Sequence, residues 1–144
     1  MAKTVHTTNT PNTFIRVADD CPARTGEAPP LHAGKPTVPG LQYEMIAKAP
    51  YKYTSDDVVF ATSAPGRARD AKATKTARSL AREAFFAKGQ ACMRASPLGK
   101  RFGWGVHADS EGRIAIYAVD SKRYQALAGD PKITQVRAMR SKRA

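Results

Sequence analysis

Hydrophobic and polar positions change period several times along the chain, and each change marks an element. Residues 1–13 are polar, rich in Thr and Asn, and read as an arm. Phe14 to Ala18 (FIRVA) alternates, with Ile15 and Val17 on one face and Phe14 on the other, which predicts a short strand. Asp19-Asp20-Cys21-Pro22 ends it. Residues 22–40 hold five prolines and three glycines. Proline fixes φ and removes an amide donor, so this is a long loop without regular structure, of a length usual for functional or mobile segments. Thr37 can cap a helix with Pro39 in its first turn. Leu41, Met45 and Ile46 then share a face, which predicts a helix over 39–48, stopped by Pro50. Thr54 or Ser55 can cap a helix, Thr54 to Asp57 resembles a capping box, and Asp56 and Asp57 suit the positive end of a helix dipole. A helix over 55–62 follows, although Val58-Val59-Phe60 also permits a strand.

Ala64-Pro65-Gly66 is a break. Over 67–88, Ala73, Ala77, Leu80, Ala84 and Ala87 recur at steps of three and four, the pattern of an amphipathic helix, and Gly89 suits its C-terminal end. Cys92 to Ala95 reads as a short strand and Pro97-Leu98-Gly99 as a turn. Phe102 to His107 and Ile114 to Val119 flank a turn at Asp109 to Gly112, so they predict a hairpin. Gly103 and Gly105 lie inside its first strand, where glycine permits a bulge or close backbone approach. Ser121 can cap a helix over 121–128, Gly129-Asp130-Pro131 breaks it, and Ile133 to Met139 reads as a last strand before a basic tail at 140–144. Helices and strands mix without βαβ alternation. The expected class is α+β: a single domain with a mainly antiparallel sheet and helices packed on one face.

Length and composition agree with that picture. The chain has 144 residues, enough for one ordinary core, and 42% of them are hydrophobic. Its first segment has no apolar h-region and no apolar run is long enough to span a bilayer, so a cytoplasmic location without membrane partners is the expectation. Two cysteines, Cys21 and Cys92, suit free thiols in a reducing compartment.

Charge changes the picture more. Residues 1–66 carry six Lys/Arg and six Asp/Glu, whereas residues 67–144 carry eighteen and six, so the whole excess of +12 lies in the second part. An anionic partner, nucleic acid or a small molecule, is the functional reading; a solvated surface is the plain one. The 67–88 helix alone holds seven Lys/Arg against Asp70 and Glu83. No module that reads nucleic-acid sequence is recognisable.

Common cofactor motifs are missing. Gly34-Lys35-Pro36 and Gly99-Lys100-Arg101 lack the Ser/Thr and the upstream glycine of a phosphate-binding loop. There is no Gly-x-Gly-x-x-Gly and no Cys-x-x-Cys, and His6, His32 and His107 lie far apart, so no cofactor and no metal site are expected.

The stretch KGQACMRASPLGKRFGWGVH, Lys88 to His107, is the densest in chemistry. Lys88, Arg94, Lys100 and Arg101 flank one turn and suit anion binding, with Ser96 as a neutral donor. Trp104 can stack a base or sugar beside them, or point inward as a core anchor. Cys92, between cations, can act as a nucleophile with His107 as base, or simply fill space as a small hydrophobe. Asp56 and Asp57 are alternative partners for His107. The leading expectation is a binding module for an anionic ligand: RNA, a nucleotide or a phosphorylated metabolite. A small enzyme using His107 with Cys92 or Asp56/Asp57, and a protein-interaction module, are the alternatives.

HTTNTPNTFIRVADDCP, LQYEMIAKAPYKYTSDDVVF, FFAKGQACMRASPLGKRFGWGVH and the terminal MRSKR resemble a family of small bacterial and fungal single-domain proteins of unknown function. The resemblance covers nearly the whole chain. It implies that His6, Thr7, Asn9, Asp20 and Cys21, then Tyr53, Ser55, Asp56 and Asp57, then Lys88, Gln90, Cys92, Arg94, Ser96, Arg101, Trp104 and His107 belong to a shared pattern. So many polar positions suggest a common polar site where the arm meets the hairpin. The chain departs from the pattern over 64–82, which is basic here and more acidic in the relatives. That departure implies a shared function around the hairpin rather than general nucleic-acid binding.

Overall fold

A four-stranded sheet in the order β3-β2-β1-β4 organises the structure, a computed structural model that describes residues 6–67 and 74–141. Its strands are β1 (Thr13–Arg16), β2 (Trp104–Ala108), β3 (Ile114–Ala118) and β4 (Thr134–Arg137). The β2–β3 hairpin forms as its pattern predicts, with Val106 opposite Ile116 and His107 opposite Ala115. Asp109 Oδ1 closes the turn by accepting from the Glu111 and Arg113 amides, both at 2.9 Å. β1 pairs antiparallel with β2 and parallel with β4, so the sheet is mixed and the fold is α+β.

Alternation along the strands sends Ile15, Val106 and Ile114 into one cluster and Phe14 into another, on the opposite face. Helices α1 (Val38–Lys48), α2 (Ser55–Ala61) and α5 (Pro97–Lys100) cover the first face through Ile46, Val58 and Leu98. Helix α6 (Lys122–Ala128) covers part of the second, with Tyr124 edge-on to Phe14 at 5.0 Å and its hydroxyl accepting from the Val17 amide. A Cβ at Gly105 would stand 2.5 Å from Phe14 and 2.6 Å from Tyr124, so this glycine serves the close approach its position predicts.

Local signals hold at the caps. Thr37, Thr54 and Ser121 each accept from the backbone amide three residues on, and Thr54 with Asp57 makes both bonds of the capping box. Several expectations differ. Residues 92–95 are not a strand: Met93–Ala95 is a 3-10 turn, and Ser96 caps α5, which has Pro97 at its start. Proline's fixed φ favours a helical first turn there, and both flanks of β1 are already occupied by β2 and β4. The basic helix is shorter than 67–88. Ala64-Pro65-Gly66, expected as a break, opens a short helix α3 (Ala64–Arg67), and α4 is Lys75–Phe86, while Ala73 and the other residues of 68–73 lie outside the described residues. The buried face of α4 is set by Phe86, with Phe85 stacked edge-on against Phe60, while Ala77, Leu80 and Ala84 are exposed. Two phenyl rings bury far more area than an alanine stripe, and they decide the orientation. Among the described residues no helix is long and apolar enough to cross a membrane.

Candidate functional site

The N-terminal arm claims one of the two acidic candidates. Asp56 accepts from the Thr8 amide at 2.6 Å, from the Thr8 hydroxyl at 2.7 Å and from the Thr7 hydroxyl at 2.7 Å. Its own amide donates to Asn9 Oδ1 at 2.9 Å. The His6 amide donates to the Phe86 carbonyl at 3.2 Å, and its ring is exposed. Asp57 closes the capping box and pairs with Arg82 at 2.7 Å. Burial by itself would push the Asp57 carboxyl up, but the Thr54 amide and Arg82 outweigh it and hold the carboxyl below its ordinary value. Asp56 fastens the arm to α2 while Asp57 ties α2 to α4, and the arm also reaches the hairpin, where the Asn12 amide donates to the Asp109 carbonyl.

The basic candidates sit on different elements: Lys88 follows α4, Arg94 lies in the 3-10 turn, and Lys100 and Arg101 end α5. Arg94 Nε donates to the Arg137 carbonyl at 2.8 Å and so ties the 3-10 turn to β4. Lys88 and Arg101 are exposed and Lys100 is half-buried. Trp104 is the anchor of its alternatives: its ring packs against Tyr43 at 5.4 Å and its Nε1 donates to the Glu27 carbonyl at 2.8 Å, beneath the 22–40 loop. A stacking role would need a bare face.

Ser96 and Cys92 lead elsewhere. Ser96 is buried and donates to Gln42 Oε1 at 2.6 Å. Gln42 Nε2 reaches Thr62 Oγ1 at 3.5 Å, and Thr62 donates to the Val58 carbonyl at 2.8 Å. Gln42, Thr62 and Ser96 are 6%, 2% and 4% exposed, so α1, α2 and α5 are joined by a dry polar chain. Above it opens a cleft of about 440 Å³, with apolar walls that include Val38, Val59 and Phe85 and with Cys92 half-buried in its side. Arg67 stands in its lining and also in that of an adjoining cleft of about 450 Å³, which holds Glu44. The first cleft falls within the usual range of small-ligand sites. Sequence reasoning missed Gln42 and Thr62. The available signal was Gln42 four residues before Ile46, a polar side chain on the buried face of a helix.

His107 is not in this cleft. It pairs with Phe14 across the sheet and so lies on the face of α6, whereas Cys92 lines the cleft against α1 and α2, which cover the other face. The structure therefore does not bring Cys92 and His107 together, nor His107 and the Asp56/Asp57 pair, because the sheet stands between them. His107 Nδ1 instead meets the Tyr51 hydroxyl at 2.7 Å.

No curated protein and no solved structure matches the chain. A family model described as "Family of unknown function (DUF6157)" matches residues 5–144. The likeness read from the arm, the capping-box segment and the Lys88–His107 stretch thus has a definite counterpart: the chain belongs to this family of unknown function.

Proposed function

We propose that the protein binds a small organic anion with an apolar body in the cleft beside Cys92. The observation that carries this reading is the pairing of apolar walls with a floor of three hydrogen-bonded polar side chains more than nine-tenths buried. The walls favour the body of such a ligand by burial, and Arg67 supplies a guanidinium suited to a carboxylate or phosphate head. Among the described residues no carboxylate pairs with Arg67, and Glu44 belongs to the neighbouring cleft. Anion recognition thus rests on Arg67 rather than on the Lys88–Arg101 run.

A thermal-shift panel of short aliphatic and aromatic carboxylates, phosphomonoesters and a short RNA, each at low and moderate salt, tests the proposal. A ligand at about 100 times its Kd stabilises the folded state by about 2.7 kcal/mol, roughly 8 °C at this chain length. The expected result is a salt-resistant shift with an apolar-bodied acid, weakened tenfold or more in Arg67→Ala, since a charge-assisted bond contributes about 1.5–3 kcal/mol. A shift with RNA alone that vanishes in salt would contradict the cleft and place anion binding in the basic surface field.

A further inference from the structure

On the opposite face of the sheet, four side chains from separate elements converge. Residues 51–54 run beside β3: the Tyr51 amide donates to the Ile114 carbonyl and the Ile114 amide to the Tyr53 carbonyl. From this edge the Tyr51 hydroxyl reaches His107 Nδ1 at 2.7 Å and the Tyr117 hydroxyl at 2.9 Å. Ala115, which pairs with His107 on β3, is small enough to leave the crossing open. Arg123 of α6 stands over the Tyr117 ring at 5.9 Å, and its charge acts on both phenols. Tyr51 has φ of +59°, in the left-handed region that a bulky residue occupies only at a cost. Glycine or asparagine would relieve that strain, so the tyrosine ring has a use that outweighs it.

We propose that Arg123 and Tyr117 hold an oxyanion, a carboxylate or a phosphate- or sulfate-like group, and that the Tyr51 hydroxyl couples its binding to the protonation of His107. Each hydroxyl has one hydrogen, so the chain has only two ordered polarities. With His107 neutral at Nδ1, Tyr117 donates to Tyr51 and Tyr51 donates to the imidazole. With a hydrogen on Nδ1, which the imidazolium always carries and neutral His107 only in one tautomer, the imidazole donates to Tyr51 and Tyr51 to Tyr117. The Tyr117 hydrogen is then free to point outward beside the Arg123 guanidinium. A guanidinium only donates, so two donors face the anion in this state and one in the other. The charged groups acting on His107 agree with this direction. Burial chiefly, and then the Arg123 charge, hold its pKa below the ordinary 6.5, while Asp109 and Asp130 oppose them. An anion on Arg123 cancels one of the lowering causes. Tyr51 stays protonated throughout, its pKa raised by burial and by Tyr117.

This site is independent of the Cys92 cleft and is tested separately. The probe is sulfate, whose charge is constant across the titration, and the readout is the NMR titration of the His107 ring, with exposed His32 as the control. Sulfate is expected to raise the His107 midpoint by about one pH unit relative to His32, equivalent to about tenfold tighter binding by the protonated form. Arg123→Gln is expected to abolish the shift, and Tyr51→Phe, which keeps the ring, to reduce it to the small direct effect of the anion. A His107 midpoint that moves no further than that of His32, or a full shift in Tyr51→Phe, would overturn the proposal.

Discussion

The Ser96 hydroxyl donates to the Gln42 amide oxygen across 2.6 Å, joining side chains 54 positions apart. Ser96 also accepts from the Leu98 amide as the cap of α5. Ser96→Ala leaves a buried oxygen without a partner and α5 without its cap, so the expected loss is about 2–4 kcal/mol. Thr62→Val removes only the 3.5 Å contact and a hydroxyl bonded within its own helix, and is expected to cost less than about 1.5 kcal/mol. Urea denaturation of both variants ranks them, and equal losses would contradict the unequal distances.

The arm is expected to depend on Asp56. Its carboxylate takes three donors from Thr7 and Thr8. Asp56→Ala should destabilise the protein by about 2–4 kcal/mol, because hydrogen bonds to a charge are the strong ones. Hydrogen exchange checks the location: the Thr8 and His6 amides lose protection ahead of the sheet. Uniform loss of protection would mean that the arm is not a separate fastening.

Two titrations set the pH dependence. The folded pKa of Asp57 is depressed, so its contribution is present above the unfolded carboxylate value and disappears as pH falls through the folded one. Asp57→Asn is therefore expected to cost about 1 kcal/mol, a cap's worth, at pH 7 and much less once pH has fallen through the folded value, with the half-exposed Arg82 pair adding little. The folded His107 pKa is also depressed. The unfolded chain then binds more protons below about 6.5, and stability falls as pH drops from there towards the folded value. His107→Gln should flatten that part of the profile, measured as ΔG of unfolding against pH.

The 22–40 loop is held where Gly103 turns. Gly103 has φ of +80°, and a Cβ there would lie 2.1 Å from the Thr25 carbonyl oxygen. Gly103→Ala is expected to cost more than about 2 kcal/mol. Trp104 is the single tryptophan, so its emission reports the loop directly and should shift to the red in the variant. Wild-type emission should be unchanged by RNA, because the half-buried ring packs against Tyr43 and its Nε1 is engaged by the Glu27 carbonyl.

Elements governed by neighbours along the chain were legible in the sequence. The hairpin follows from alternation and the Asp109 to Gly112 turn, and the caps at Thr37, Thr54 and Ser121 follow from one side chain and an amide three residues away. Relationships that span the chain were not. β4 lies parallel to β1, a pairing no local pattern encodes. Lys88, Arg94, Lys100 and Arg101 looked like a group because they are close in sequence. They fall on a helix end, a 3-10 turn and a short helix, and Arg94 is tied to β4. His107 was recognised, but its partner is Tyr51, 56 residues away, placed there by a strained turn after Pro50. The cleft floor was hidden for a similar reason, since Gln42 and Thr62 read as ordinary helix residues until α5 brings Ser96 to them.

The most direct measurement is the alkylation rate of Cys92 by iodoacetamide, read by mass spectrometry with and without hexanoate and benzoate as probes. Cys21, the other free and half-buried thiol, is the internal control. Occupation of the cleft predicts that Cys92 labelling slows at least fivefold while Cys21 labelling is unchanged, and that the protection is lost in Arg67→Ala at the same concentration. Unprotected Cys92, or equal slowing at both thiols, would contradict the cleft as the site of function.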